Sequence, residues 1–157
     1  MKAKNFKIGQ SIYIVTQDHE FDLHNNYDFC GFAYDVAQRW LLLSWQKTKG
    51  DWALANDPPA IALRIVRVRS LQVTPRDPKL PFTEDDCLSD ICFLSNDHGP
   101  SFQEQFTIDK TPEESWRWVF QFMSGASIVI DAEEIEAITE PEQIHPRDVA
   151  NRAAHDG

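Results

Sequence analysis

The chain of 157 residues has few cysteines, few glycines and no long run of apolar residues. Its three cysteines, Cys30, Cys87 and Cys92, form no C-x-x-C pair and leave an odd thiol, so a disulfide framework is not expected. Reduced cysteines, and the polar residues 9–11 that interrupt the first apolar run, predict a cytoplasmic protein without a signal peptide. No stretch approaches the roughly 20 apolar residues of a membrane span, so no membrane partner is expected.

Basic residues are also scarce, since 15 lysines and arginines stand against 25 acids, a formal net charge of −10. Such a surface repels phosphate backbones, so nucleic-acid binding is not expected. The main concentration of positive charge, at Arg64, Arg67 and Arg69, is interpreted as a face that balances nearby acids. The acidic surface instead favours a basic protein partner, because opposite fields speed encounter and select partners.

Sequence motifs that carry known chemistry are absent as well. The six glycines occur in neither G-x-G-x-x-G nor G-x-x-x-x-G-K-[ST], and there is no G-x-S-x-G nucleophile elbow. The acids at 84–86 precede Cys87 and would raise the pKa of its thiol rather than activate it. The sequence therefore predicts no catalytic residue and no cofactor.

The most informative segment that is present covers residues 116–131. Aromatic residues at every second position, followed by Gly125 in a short loop, predict a strand, a two-residue turn and a second strand. Such a turn would pair Phe120 with Val129. Both faces of this hairpin would then be substantially apolar, which predicts a central hairpin covered on both sides.

A helix over residues 112–123 is the alternative to the first of these strands. Thr-Pro-Glu-Glu at 111–114 has the form of a capping box, and Trp116, Phe120 and Met123 also fit a helical stripe. The density of Trp and Phe and the β-branched run after the turn favour the strand. One helical turn over 112–115 that leads into the strand stays open.

Further alternating segments predict the rest of a β-rich domain. They are a strand over 8–15, a hairpin over 27–45 in which Cys30, Phe32, Tyr34 and Val36 share a face, a strand over 61–73 with a bulge near 65–66, strands over 88–94 and 102–108, and an edge strand or helical turn over 132–138. The predicted fold class is mainly β (α+β minor), a single-domain antiparallel sandwich or strongly bent sheet of about seven strands with little helix. This domain covers residues 1–140, and 141–157 form a polar C-terminal tail or short helix.

Two features are candidates for a functional site. His19, Asp22 and His24 are the densest group of metal-ligating side chains, and zinc or a similar ion needs three or four converging N, O or S ligands. Their spacing matches no metal motif, so the alternative is a loop whose Asp and Asn side chains cap turns. Trp52 lies among the polar residues of a loop over 47–59 and predicts an exposed aromatic anchor for a partner.

Two stretches of the chain carry a resemblance to known proteins. They are His24-Asn25-Asn26-Tyr27 before a hairpin that ends in Trp40-Leu41-Leu42-Leu43-Ser44-Trp45, and the closing stretch Phe120-Gln121-Phe122-Met123-Ser124-Gly125-Ala126-Ser127-Ile128-Val129-Ile130-Asp131-Ala132. With these stretches the chain resembles a loose group of small, uncharacterised bacterial β-rich proteins, some of which are classed as immunity proteins of polymorphic toxin systems. A His-Asp pair often follows the first strand in that group, whereas this chain has His24-Asn25. The resemblance implies a non-enzymatic binder without catalytic residues.

The leading functional hypothesis is a non-enzymatic protein-binding module with a basic partner, of the kind that inhibits a toxin. The first alternative is a metal-dependent enzyme that uses His19, Asp22 and His24. The second is a homo-oligomeric structural module, which is suggested by the two apolar faces of the 116–131 hairpin.

Overall fold

The computed structural model describes residues 1–94 and 112–140, and these ranges consist mostly of short β-strands. The described ranges contain twelve strands: β1 (Lys2–Ala3), β2 (Lys7–Gly9), β3 (Tyr13–Val15), β4 (Glu20–Asp22), β5 (Tyr27–Asp35), β6 (Trp40–Lys47), β7 (Ala60–Val66), β8 (Ser70–Thr74), β9 (Leu88–Leu94), β10 (Arg117–Phe122), β11 (Ser127–Asp131) and β12 (Glu134–Ile138). A single turn of 3-10 helix, Phe82–Glu84, interrupts this pattern within the described ranges. The predicted mainly β class is therefore confirmed.

The strands form three sheets. The strand order is β1-β12-β7-β6-β5 in a five-stranded sheet, β8-β11-β10-β9 in a four-stranded sheet and β2-β3-β4 in a three-stranded sheet. Neighbouring strands are antiparallel except β1 and β12, which form a short parallel pair. The architecture thus has more and shorter strands than the seven expected, and three sheets instead of one bent sheet or two packed sheets.

One apolar core is shared by all three sheets. It contains Phe21 from the three-stranded sheet, Trp45 from the five-stranded sheet and Phe120 from the four-stranded sheet. The ring centroids of Trp45 and Phe120 lie 6.2 Å apart, and those of Phe29 and Phe122 lie 4.6 Å apart. These contacts join the two larger sheets, and full burial of one such side chain stabilises the fold by about 1.5–3 kcal/mol.

The hairpin of β10 and β11 confirms the strand interpretation of residues 116–131, but its predicted register was wrong by one residue. Phe120 lies opposite Ile128 and not opposite Val129. Both faces nevertheless carry buried apolar side chains, as predicted. Phe120 and Ile128 belong to the shared core, and the second face holds a separate buried cluster of Cys92, Leu94, Val119 and Val129.

The turn of this hairpin explains the register. It contains the three residues 123–125 instead of two, because the Phe122 N–H donates to the Ala126 carbonyl at 2.9 Å. Gly125 has a φ of +80°, the left-handed conformation that closes three-residue hairpin loops. The described part of the capping-box sequence, residues 112–114, leads into a turn and not a helix, since the Trp116 N–H donates to the Glu113 carbonyl at 3.0 Å.

Other predicted strands are divided by residues with positive φ. The segment 8–15 splits into β2 and β3 at Gln10 and Ser11, with φ of 44° and 57°. The segment 61–73 does not bulge at 65–66 but breaks at Arg67, with φ of 54°, into β7 and β8, which belong to different sheets. The segment 132–138 contains β12, which lies between β1 and β7 and is therefore not an edge strand.

One further predicted element is confirmed, and two others lie outside the described residues. The hairpin over 27–45 is confirmed as β5 and β6. The predicted strand over 102–108 and the tail over 141–157 lie outside the described residues. Within the described ranges, no helix has the length and apolar character needed to cross a membrane.

The arginines of the predicted basic segment are each matched to acids. Arg64 pairs with Glu136, Arg67 with Glu133 and Glu134, and Arg69 with Asp131 at 2.7 Å. Such half-exposed pairs contribute about 0–1 kcal/mol each. Their main consequence is that this segment presents little unbalanced positive charge.

Candidate partner-binding site

The four candidate residues from the sequence, His19, Asp22, His24 and Trp52, lie in one region of the molecule. Three of them lie at or next to β4, and Trp52 lies in the segment 48–57 between β6 and β7, which we call the anchor loop. The Trp52 indole N–H donates to the carbonyl of Asn25, a residue of the turn after β4, at 2.8 Å. The structure therefore brings the candidates together through the turn that precedes β5.

Asp22 organises that turn as a hydrogen-bond acceptor. Its Oδ1 atom accepts the backbone N–H of His24 at 3.1 Å and that of Asn25 at 2.9 Å, and its Oδ2 atom accepts the Asn25 side-chain amide at 2.8 Å. An aspartate whose side chain bonds the backbone two residues on forms an Asx turn. This is the capping role that the sequence left as the alternative to metal binding.

His24 bonds to the strand that follows Cys87. Its Nδ1 atom lies 2.6 Å from the Leu88 carbonyl, and because a carbonyl only accepts, Nδ1 carries the proton. The Cys87 Sγ atom lies 3.7 Å from Nδ1 and donates instead to the His24 carbonyl at 3.6 Å. A protonated Nδ1 cannot take a proton from the thiol, so this pair is not arranged as a nucleophile and its base.

None of the three cysteines has the environment of a reactive thiol, and all three are free. Burial, followed by the charge of Glu84, raises the pKa of Cys87. Burial, followed by the charge of Asp90, raises the pKa of Cys92 to about 12. The pKa of Cys30 is raised as well, chiefly by burial. A thiolate is the nucleophilic form, and each of these shifts disfavours it.

His19, in the turn between β3 and β4, lies against the far end of the anchor loop. Its Nε2 atom lies 3.4 Å from Oδ1 of Asp57, whose side chain is almost fully buried. Beside it, the Tyr27 hydroxyl donates to the Pro58 carbonyl at 3.0 Å. Burial, followed by the charge of Asp57, raises the pKa of Tyr27, so this hydroxyl stays a donor.

Lys47, the last residue of β6, forms hydrogen bonds to the anchor loop. Its Nζ atom donates to the carbonyls of Leu54, Ala55 and Asp57 at 3.2, 3.5 and 3.3 Å. An ammonium group has three donors, and here one group satisfies three carbonyls of the same loop. The second half of the loop is thereby held by Lys47, and its end contacts His19.

Trp52 is an exposed aromatic residue of the anchor loop. Its side chain is 66% exposed, and so is that of Leu54 two residues later. The ring lies over Gly50, where a Cβ atom would meet it. With its N–H bonded to Asn25, the indole keeps a defined orientation in spite of its exposure.

Acidic residues are frequent in the two segments that meet at Trp52. The segments 18–28 and 48–57 contain six acidic side chains, of which Asp57 is almost fully buried, and one lysine, Lys49. The charge of Asp22 raises the pKa of Tyr13. The two segments that the hydrogen bond of Trp52 joins therefore carry a net negative charge.

The described residues contain no group of three or more His, Cys, Asp or Glu side chains placed to hold a metal ion. His19 lies against Asp57, Asp22 accepts turn amides, and His24 bonds to Leu88. Metal binding by these three residues stays a prediction that this geometry does not favour.

Sequence reasoning missed the residues that support Trp52. Lys47, Asn25 and Asp57 are ordinary loop or strand-end residues in sequence, and no motif marks them. Each contacts a residue that is distant in the sequence: Lys47 contacts Leu54, Asn25 contacts Trp52, and Asp57 contacts His19. Only the folded chain shows that they act together.

Comparison with known proteins found no similar protein. No protein-family model matches the chain, no curated protein matches it, and no solved structure has a significantly similar fold.

Two substitutions at Asp22 distinguish a turn cap from a metal ligand. Asp22→Ala removes the acceptor of two backbone N–H groups and should lower the free energy of unfolding by about 1–2 kcal/mol. Asp22→Asn keeps an Oδ1 acceptor and should cost less than about 1 kcal/mol. Urea unfolding measures both, with Asp18→Asn as a control for charge removal. Equal losses for Asn and Ala would show that the turn bonds are not what Asp22 supplies.

Proposed function

We propose that this protein is a non-enzymatic binding module for a basic protein, with Trp52 as the central contact. The observation that supports this most directly is an indole that is 66% exposed and yet hydrogen-bonded to Asn25 at 2.8 Å. Tryptophan is enriched among the residues that dominate binding energy, and a ring whose orientation is already set loses little entropy when it is covered. Leu54 extends the apolar centre beside it.

The partner is proposed to be basic because the two segments that meet at Trp52 are acidic. A protein that buries Trp52 meets Asp51 and the acids of segment 18–28, which attract lysine and arginine and repel acidic proteins. Inhibition of a basic toxin domain is the form of this function that the sequence resemblance implies. The free cysteines are in keeping with a reducing, cytoplasmic location.

The homo-oligomeric alternative is suggested by the two apolar faces of the β10–β11 hairpin, and it stays a proposal. Phe120 and Ile128 lie in the shared core, and Val119 and Val129 on the second face are also buried. Because both faces are buried, the exposed Trp52 gives the binding module the more direct support.

The test is capture of the partner from the cells that make this protein, with two variants compared with the wild type. Trp52→Ser should weaken binding by about 30-fold or more, the loss typical of a central aromatic contact. Val73→Ser removes an apolar side chain that is 47% exposed on β8, away from the anchor loop, and should bind as the wild type does.

The captured protein should be basic, and its binding should weaken as salt is raised. Circular dichroism checks that both variants are folded. A partner that Trp52→Ser retains at full affinity, or one that both variants lose equally, would contradict the proposal.

A further inference from the structure

Strand β5 ends the five-stranded sheet, and its two halves differ in what they meet. In the first half, the Phe29 N–H donates outward to the Asp86 carbonyl at 2.8 Å. The pairing with β6 then shifts between Phe29 and Gly31, where Gly31 has a φ of +130°. Beyond this bulge, residues 31–35 make no outward backbone hydrogen bond to any other residue in the described ranges.

The second half of β5 also carries exposed aromatic side chains. Phe32 lies opposite Leu43 and Tyr34 opposite Leu41, so both rings are on the core side of the sheet. Leu41 and Leu43 are fully buried, whereas Phe32 is 44% exposed and Tyr34 is 37% exposed. The core-facing side of the sheet is therefore partly exposed to solvent along this edge, at Phe32 and Tyr34.

Edges of this kind are usually protected in natural sheets. Lysine, proline or a covering element normally prevents an exposed edge from pairing with another strand. Residues 31–35 contain no lysine and no proline, and the bulge precedes them. They are thus a short, accessible template for one more strand.

The charges on β5 indicate which strand would fit. Asp28 lies opposite Gln46 and Asp35 opposite Trp40, on the face of the sheet away from the shared core. Neither β5 nor the following residues 36–38 contain a basic side chain, and Arg39 is the first one in the turn. An incoming strand that alternates in the usual way would place one set of side chains beside Phe32 and Tyr34 and the other beside the two aspartates.

We propose that residues 31–35 accept an extended segment of a partner protein as an additional strand, in which apolar residues alternate with lysine or arginine. The apolar residues pack on Phe32 and Tyr34, and the basic residues face Asp28 and Asp35. A second copy of this chain fits less well, because antiparallel pairing of two β5 strands brings aspartates towards aspartates. The inference rests on the proposed binding function and names the form of the bound segment.

The experiment titrates isotope-labelled protein with a blocked eight-residue peptide that alternates lysine and valine, and follows the backbone amide signals by NMR. We expect the shifts to concentrate on residues 31–35 and to shrink at high salt. A peptide with glutamate in place of lysine, and one with proline at its centre, should each bind at least tenfold more weakly. Proline removes an N–H that the added strand needs.

Substitutions in and after β5 test whether the peptide binds at this strand edge. Phe32→Ser should weaken peptide binding at least tenfold, and Tyr34→Ser provides a second variant if the first folds poorly. Val36→Ser, which also removes an exposed apolar side chain but lies beyond the strand, should bind as the wild type does.

Three results would overturn the inference. They are equal binding of the glutamate peptide, shifts centred on the anchor loop, and a dimer of the free protein that Phe32→Ser converts to a monomer. Trp52→Ser should leave peptide binding unchanged. Failure of the peptide therefore counts against the strand edge alone, and an unaltered partner affinity of Trp52→Ser counts against the anchor loop alone.

Discussion

Replacing Trp118 by alanine is expected to lower the free energy of unfolding by about 3–5 kcal/mol. The Trp118 ring is almost fully buried between rings from different parts of the chain. Its centroid lies 5.9 Å from that of Phe6, 5.0 Å from that of Phe93 and 6.4 Å from that of Phe120. Alanine would leave a cavity that the surrounding strands cannot close, because their hydrogen bonds keep them in place.

Urea unfolding followed by circular dichroism measures this loss, and Trp52→Ala is the matched control. The same atoms are removed at Trp52 from a side chain that is mostly exposed, so the change there should stay within about 1 kcal/mol. Similar losses for the two variants would show that the core does not depend on the Trp118 ring as described.

Deleting Ser124 is expected to lower the free energy of unfolding by about 2–5 kcal/mol. The deletion shortens the β10–β11 turn from three residues to two, Met123 and Gly125, which would close the same pair of Phe122 and Ala126. Two-residue hairpin loops need positive φ at both positions or glycine at the first, so Met123 would be strained by about 1–2 kcal/mol. The Ser124 carbonyl would also be lost as the acceptor of the Asp77 N–H, at 2.8 Å, which costs about 1–3 kcal/mol more.

Two controls separate turn length from other effects. Gly125→Ala keeps the length and places a Cβ atom at φ +80°, which should cost about 1–2 kcal/mol. Ser124→Ala keeps both the length and the Ser124 carbonyl and loses a side-chain oxygen that accepts the Ala126 N–H at 3.4 Å, which should cost about 1 kcal/mol. Urea unfolding followed by circular dichroism measures the three variants. A deletion that costs no more than Ser124→Ala would show that the length of this turn does not contribute to stability.

The two long hairpins were predictable because their signals are local. In residues 27–45 and 116–131, apolar side chains recur at every second position and turn residues lie between the runs. Neither signal depends on distant parts of the chain. The same periodicity also predicted that both faces of the second hairpin would be apolar.

Register and strand breaks were not predictable in the same way. The turn of residues 123–125 depends on where a single glycine takes positive φ, and Ser124-Gly125 is compatible with loops of two or three residues. Gln10 and Arg67 are not glycines, so their positive φ values have no sequence signal. The break at Arg67 places β7 and β8 in different sheets, and the break at Gln10 separates β2 from β3 within one sheet.

The candidate site shows a similar division. Trp52 was identifiable because a tryptophan among polar loop residues is unusual, and its exposure is confirmed. The roles of His19, Asp22 and His24 were not identifiable, because the same residue types suit a metal site and a capped turn. Only the structure shows their partners, which are Asp57, the turn amides and Leu88.

The sequence by itself determined the β class, the two hairpins, the acidic charge and the anomaly of Trp52, because composition and short-range periodicity suffice for each. Only the tertiary structure decided that β5 is an edge with Phe32 and Tyr34 uncovered, and that Lys47 and His19 support the anchor loop. The physical reason is that exposure and hydrogen-bond partnership belong to pairs of residues distant in the chain. A local pattern shows which face a side chain takes, but it does not show what lies against that face.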